Sequence, residues 1–384
     1  MTTHSSSRLG EPSRAPVPLL DAGARYWELK DEYDAAYRRV MESGRYVLGQ
    51  ELEAFEAEFA TFCGASYAVG VANGLEALSL ILRAMGIGAG DEVLAPANTF
   101  IATWLAVSHT GARPVPVEPV PETFNLDPDR IDRAVTERTR AVIVVHLYGQ
   151  PAMMDAIAEV AARRGLRLIE DAAQAHGARY KGRPVGALAD AGAFSFYPAK
   201  NLGAFGDGGA VVSNDRKLIE RVRLLRNYGS KEKYRHELCG FNSRLDPLQA
   251  AFLRVELAHL EEWNSRRADV AQAYLRGLAG IGRWTLPAVP PWAGPVWHLF
   301  VIRHPDRDRL RARLASMRIE TGLHYPAPPH LSKAYADLGM RRGDLPITEL
   351  MADTVLSLPI GPHLGIGAAE QVIRAMINAE AAGG

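Results

Sequence analysis

The chain has 384 residues, 47% hydrophobic and 23% charged, with 44 basic and 44 acidic side chains and a formal net charge of zero. That length implies two or three domains of ordinary soluble composition, and the balanced charge argues against a nucleic-acid-binding protein. Cys63 and Cys239 match no disulfide or metal spacing, so two reduced thiols in a cytoplasmic protein are expected and no metal site is indicated.

The first residues, MTTHSSSRLGEPSRAPVP, contain no apolar h-region and read as a flexible tail over 1–16, not a signal peptide. No apolar run reaches membrane-spanning length. Residues 26–39 have helical patterning. Over 50–63, Leu52, Phe55, Phe59 and Phe62 recur at three- and four-residue steps, the mark of an amphipathic helix. YAVGVA at 67–72 reads as a buried strand, Asn73 with Gly74 as a turn, and 75–85 as a helix closed by Gly86. A strand feeding a helix through such a turn presents free backbone N–H groups where a phosphate can sit, although glycine here serves plain turn chemistry equally well.

Residues 92–97 form the next expected strand, with Asn98 or Thr99 as cap for a helix over 100–109. Phe100 stands at the mouth of that helix, where an aromatic either packs in the core or stacks on a ligand. Residues 114–119 are extended, and Asp127 followed by Pro128 opens a helix over 129–135. AVIVVHLY at 141–148 is a continuous buried strand, 155–164 a helix ended by Gly165, and 166–169 another strand. That is a βαβ unit, so its two strands should be parallel. His146 reads as a satisfied buried histidine, with catalysis as the alternative.

The stretch 166–210 organises the chain. One strand runs into Glu170 and Asp171, then Gln174 and His176; a second, 193–197, runs into Pro198, Ala199 and Lys200. Gly203, Gly206, Gly208 and Gly209 follow, then a strand over 210–213. This connection is too short for a crossover helix, so the last two strands should be antiparallel. The glycines precede a strand, whereas a dinucleotide fingerprint must precede a helix. Strand ends in an open α/β sheet face the ligand crevice, so Asp171 and Lys200 are expected to share one cofactor.

Beyond this lie a helix over 216–227, a polar loop over 229–244 and a long helix opened by Asp246 and Pro247 that runs towards Leu278. The remainder alternates strands at 296–304, 321–325 and 355–359 with helices at 307–317 and 368–382, a small α+β unit. The expected division is a tail (1–16), a large domain (17–264) and a small C-terminal domain (265–384).

Pyridoxal phosphate is the cofactor that this set suits. Its aldehyde needs a lysine amine, its ring nitrogen a carboxylate, its phosphate backbone N–H groups and hydroxyls, and its ring a stacking face. The chain offers Lys200, Asp171, the turn at Asn73, Gly74 and Leu75 with Ser195, and Phe100.

The chain resembles the sugar aminotransferases of the DegT/DnrJ/EryC1/StrS family. The motifs that carry the likeness are VANGLEALSLILRAMGIGAGDEVLAPANTFIAT (71–103), VHLYGQP (145–151), EDAAQAHGA (170–178), FSFYPAKNLGAFGDGGA (194–210), GFNSRLDPLQAA (240–251) and HYPAPPH (324–330). The resemblance implies an α/β fold of type I, with a mixed, mostly parallel sheet flanked by helices and a small α+β domain. It implies that Lys200 binds the cofactor and shuttles a proton, Asp171 pairs with the pyridinium nitrogen, and Gln174 bonds the phenolic oxygen. Ser195 with the Gly74 and Leu75 backbone would hold the phosphate, and Phe100 would cover the ring. Asn242 would reach the phosphate of a neighbouring subunit, making the active unit a homodimer. Arg244, Tyr234, His324, Tyr325 and His330 are candidates near the sugar nucleotide. Leu75 departs from the threonine or serine often found in the family, which leaves backbone binding there.

Many relatives that aminate C4 of the sugar carry a segment like ITTGEGG after the lysine. Here the sequence reads YPAKNLGAFGDGG, which resembles the branch acting on dTDP-3-keto-6-deoxyhexoses. The implied activity is transfer of an amino group from L-glutamate to C3, through the pyridoxamine form of the cofactor. Amination at C4, or a non-catalytic regulatory protein on the same fold, are the alternatives. Relatives acting as dehydratases have histidine in place of the lysine, and Lys200 argues against that role.

Overall fold

The computed structural model describes residues 15–381; the expected tail lies, up to residue 14, outside that range. In chain order the strands are β1 (Tyr67–Val71), β2 (Glu92–Pro96), β3 (Arg113–Val117), β4 (Thr139–Val145), β5 (Arg167–Asp171), β6 (Arg179–Tyr180), β7 (Arg183–Pro184), β8 (Ala191–Ser195) and β9 (Gly209–Ser213). They are followed by β10 (Ser230–Glu232), β11 (Arg235–His236), β12 (Ala293–Gly294), β13 (Phe300–Arg303) and β14 (Val355–Leu358). Seven of them form the central sheet, in the order β1-β9-β8-β5-β4-β2-β3. From β8 through β5, β4 and β2 to β3 the pairing is parallel, whereas β9 runs antiparallel to both neighbours. The antiparallel return expected after Lys200 is thus present.

Helices α1 (Ala24–Glu28), α2 (Lys30–Ser43), α3 (Gln50–Phe62), α4 (Gly74–Ala84), α5 (Ile101–Ser108), α6 (Pro128–Ala134), α7 (Met154–Arg164), α8 (Arg216–Arg226) and α9 (Pro247–Leu278) surround the sheet. The strand side chains alternate between two cores, as a sheet covered on both faces requires. Val69, Val71, Ile143, Ile169 and Val211 pack with α4 and α8. Val142, Val144 and Leu168 pack with α6 and α7 on the other face, where Phe194 and Val212 meet Phe55 and Phe59 of α3.

α9, at 32 residues, crosses the position expected for the domain boundary. Its first half gives Ala250, Leu253 and Leu260 to the core under the sheet. Its second half gives Val270, Ala271, Tyr274 and Leu278 to a separate core with β13, β14, α10 (Arg307–Ser316) and α12 (Ile366–Ala381). Val17 belongs to that second core. The first described residues therefore pack on the C-terminal unit, with Val17 N–H donating to the Arg318 carbonyl and Ile360 N–H to the Leu19 carbonyl.

Some local expectations are corrected. No strand forms over 321–325; Gly322 makes a single antiparallel bridge to Ser357, because the Pro326, Pro328 and Pro329 that follow lack ladder donors. A helix, α11 (Pro346–Thr354), was not anticipated. The N-cap of α5 is Phe100, without a side-chain cap; Thr99 Oγ1 is instead 2.9 Å from Thr103 Oγ1.

The acid pair ending β5 divides its work by strand alternation. Glu170 is fully buried. It accepts from the amides of Gly186 (2.7 Å), Leu188 (2.7 Å) and Ala189 (3.0 Å). His146 Nδ1 accepts from Ala152 N–H (3.1 Å), so Nε2 carries the proton and donates to Glu170 at 2.9 Å. His146 is therefore a satisfied structural histidine. Asp171 faces the opposite way. Replacing Glu170→Ala should leave these buried donors unpartnered and cost about 3–5 kcal/mol. A clear fall in the thermal unfolding midpoint is the expected result; an unchanged midpoint would contradict this role.

Candidate active site

The carboxyl ends of β5 and β8 and the openings of α4 and α5 enclose a cavity of about 640 Å³. Asn73, Gly74, Leu75, Phe100, Thr103, Asp171, Gln174, Ser195, Lys200, His298, His324 and Tyr325 line it. The sheet order explains the convergence: β5 and β8 are adjacent and parallel, so Asp171 and the loop after Ser195 leave the sheet side by side.

Asp171 is buried at 6% exposure. Thr103 Oγ1 donates to its Oδ2 at 2.8 Å, and Ala173 N–H to its Oδ1 at 3.2 Å. Burial nevertheless pushes its carboxyl above the usual carboxylate range, against the Thr103 and Ala173 bonds and the Lys200 charge. Lys200 is half-buried, its free surface turned to the cavity. Burial lowers its ammonium to about 8, opposed by the Asp171 charge. Both groups are thus driven towards neutrality by the same apolar setting.

α4 opens directly on this floor. The Asn73 side chain caps it by accepting from Glu76 N–H at 2.9 Å, leaving the Gly74 and Leu75 amides at the opening. A Cβ on Gly74 would stand 2.7 Å from Ser195 Cβ, so only glycine lets the helix end approach β8 this closely. On the other side, a Cβ on Gly209 would lie 2.4 Å from the Asn73 carbonyl carbon. The glycine run after Lys200 therefore brings β9 against the helix opening. Exposed amides at a helix N-terminus beside a serine hydroxyl form an anion cradle. Leu75 lines the cavity without a hydroxyl.

Gln174 Oε1 accepts from Tyr148 N–H at 2.6 Å, and its Nε2 donates to the Tyr325 hydroxyl at 3.0 Å. The Phe100 and Tyr325 ring centroids are 5.2 Å apart. Phe100 is 52% exposed, which rules out plain core packing and leaves its face to the cavity. His324 Nδ1 is 2.8 Å from Ser357 Oγ, and burial lowers its imidazolium to about 4, helped by the Lys200 charge.

Four of the residues singled out from the sequence stand elsewhere in this chain. His330 is buried away from the cavity, with Nε2 3.0 Å from Glu349 Oε1. Arg244 donates to Asn227 Oδ1 at 2.9 Å and lies over the Tyr228 ring. Tyr234 is 82% exposed at the β10–β11 turn, and Asn242 is exposed beyond it. Thr103 and Leu19 escaped the sequence reading. Thr103 closes the 71–103 motif but sits inside a helix, where nothing local marks it as a partner of Asp171, and Leu19 arrives from the far end of the chain.

The set fits pyridoxal phosphate: a buried acid for the ring nitrogen, an amine with a depressed pKa, a helix-end cradle for the phosphate, and an aromatic face. The fold and site define a pyridoxal-phosphate-dependent aminotransferase of fold type I. The family described as DegT/DnrJ/EryC1/StrS aminotransferases matches residues 28–377, and the chain belongs to it. It is 57% identical over 371 residues to a dTDP-3-amino-3,4,6-trideoxy-alpha-D-glucose transaminase of Streptomyces venezuelae, covering 97% of each chain. It is 56% identical to the erythromycin biosynthesis sensory transduction protein EryC1 of Saccharopolyspora erythraea, covering 93% of this chain and 98% of that one. The crystal structure of S. venezuelae DesV with a ketimine intermediate superposes with a TM-score of 0.94 at 57% identity, covering 96% of this chain and 99% of that chain.

Amine-selective acylation of the cofactor-free protein, read at Lys200 by mass spectrometry across pH, should show a half-maximal rate near pH 8. The neutral, reactive amine gains population as pH rises through the lowered pKa. A midpoint above pH 10 would mean the cavity does not depress it.

Proposed function

We propose that the protein transfers the amino group of L-glutamate to C3 of a dTDP-linked 3-keto-6-deoxyhexose, giving a 3-amino sugar. The observation that carries this reading is the buried Asp171 facing the same cavity as a lysine lowered to about 8. The substrate follows from the likeness to a dTDP-3-amino sugar transaminase over nearly the whole chain.

Bound pyridoxal phosphate supplies an aldehyde for amines and a ring that accepts the electron pair released at Cα. Asp171 would face the ring nitrogen, with Thr103 and Ala173 donating to the carboxylate and favouring its ionised form. The Gly74 and Leu75 amides and Ser195 would hold the phosphate, Gln174 the phenolic oxygen, and Phe100 the ring face. Lys200 Nζ takes the Cα proton as a neutral amine. At pH 7 a group of pKa 8 is roughly one-tenth neutral, against about one part in 2,500 for an ordinary lysine. The two substrates use the one cavity in turn, which gives ping-pong kinetics.

Asn242, Arg244 and Tyr234 stand outside the chain's own cavity on a loop whose exposed aromatics include Tyr228 and Tyr234. We assign them to the active site of a second copy, in a homodimer. His324 and Tyr325 would contact the sugar nucleotide from within the chain. Free Cys63 and Cys239 fit a cytoplasmic setting, and no helix among the described residues is long and apolar enough to cross a membrane. A signalling role is suggested by the name of one relative, but Lys200 and Asp171 in one cavity favour catalysis.

The loaded wild-type protein should be yellow and lose its visible absorbance on addition of glutamate. Lys200→Ala should abolish both the lysine-bound absorbance and turnover. Amination of a keto-sugar by purified Lys200→Ala would overturn the lysine assignment, and failure of the wild type to take up the cofactor would overturn the whole reading.

A further inference from the structure

His298 lines the cavity, is 8% exposed, and has no task in the chemistry above. Its tautomer is set by a relay that starts at backbone carbonyls. Asn264, on α9, donates through Nδ2 to the His176 carbonyl at 2.9 Å, so its Oδ1 is the acceptor. Asn201 donates through Nδ2 to that Oδ1 at 2.8 Å and to the Val296 carbonyl at 2.9 Å. Carbonyl oxygens only accept, so the orientation of both amides follows from their partners. Asn201 Oδ1 is then an acceptor, 3.2 Å from His298 Nδ1. Nδ1 therefore carries the proton and Nε2 a bare lone pair. Asn201 occupies the Nδ1 edge, so the edge left for the cavity carries Nε2. Burial, followed by the Lys200 and Arg267 charges, holds the imidazole well below its ordinary pKa. The ring stays neutral and does not turn into a donor at physiological pH.

We propose that His298 Nε2 selects between the two substrates, accepting a hydrogen bond from a ring hydroxyl of the sugar and none from the amino-acid donor. This rests on reading the cavity as a sugar-nucleotide transaminase site. The two substrates enter the same space, and their donors differ. Glutamate brings carboxylates, which are acceptors only, and an amine that is consumed in the reaction. A sugar ring brings neutral hydroxyls, each a donor. A fixed acceptor in the cavity wall therefore favours the sugar and repels a carboxylate placed against it. Sites built to pair a substrate hydroxyl discriminate strongly against a ligand that lacks it. The depressed pKa also separates this role from that of a base: Lys200, at about 8, would give up its proton uphill to His298.

The test uses the loaded wild type and His298→Phe, with two amino donors applied separately: L-glutamate and dTDP-3-amino-3,6-dideoxyglucose, a 3-amino product of the proposed reaction that keeps its ring hydroxyls at C2 and C4. Both start from the same lysine-bound form and are read by the same loss of visible absorbance in single-turnover mixing. Equilibrium binding of the amino sugar to borohydride-reduced enzyme gives a readout without chemistry. In His298→Phe the glutamate rate should stay within threefold. The amino-sugar half-reaction should need at least tenfold more ligand for its half-maximal rate, and the dissociation constant should rise by the same factor. Equal losses with both donors would show that His298 acts through Lys200, and no loss with the sugar would show no contact; either overturns the proposal. If His298→Phe does not take up cofactor, His298→Leu, which also removes the acceptor, is judged by the same criterion in the same assays. A wild type that ignores the amino sugar would instead sink the functional reading beneath it.

Discussion

The structure turns on one constraint: an acid and a lysine are held in the same apolar cavity at the end of a parallel sheet. Left to themselves, both are poorly placed. Burial raises the Asp171 carboxyl and lowers the Lys200 ammonium, because low dielectric disfavours each charged form. A ligand with a cationic ring nitrogen and an amine-binding aldehyde relieves both at once. The same unfavourable setting that depresses the lysine gives it a usable fraction of free base near neutral pH.

Most of the surrounding architecture holds these two residues in register. Glu170, one position before Asp171, uses its opposite orientation to tie β5 to the 186–189 turn and to His146. The chain after Lys200 is gripped from two sides. Asn201 is bonded to Asn264 and Val296. The next turn is held by Arg25, which donates to the Gly203 carbonyl at 2.7 Å and the Ala204 carbonyl at 3.0 Å. Glu256, fully buried on α9, accepts from Gly203 N–H at 3.1 Å and from the Tyr33 hydroxyl at 2.8 Å. Helices far apart in sequence thus converge on the loop that carries Lys200. α9 serves both cores and couples that loop to the C-terminal unit, which supplies His298, His324 and Tyr325.

Much of this was legible in the sequence where a local signal carried it. The continuous apolar run before Tyr148 marked β4, and the short link after Lys200 marked the antiparallel return of β9. Asp171 and Lys200 were readable because strand ends in such sheets face the ligand. Thr103, His298 and the Asn201–Asn264 relay were not, because their partners are brought in by tertiary packing and no spacing records them. His330 was misplaced for the opposite reason. It lies in a conspicuous motif, but the proline-rich chain turns it inward to Glu349. The strand expected over 321–325 shrinks to the one bridge from Gly322 to Ser357 of β14, because the apolar patterning does not register that the prolines after it lack the donors a longer ladder needs.

The most direct test of the account is where the transferred nitrogen lands. The loaded enzyme is incubated with 15N-glutamate and a dTDP-3-keto-6-deoxyhexose, and the sugar product is examined by mass spectrometry and NMR. The account predicts one 15N per sugar, bonded to C3, with 2-oxoglutarate released in equal amount. Nitrogen at C4 of an isomeric 4-keto substrate in preference to C3, or no label in the sugar at all, would contradict it.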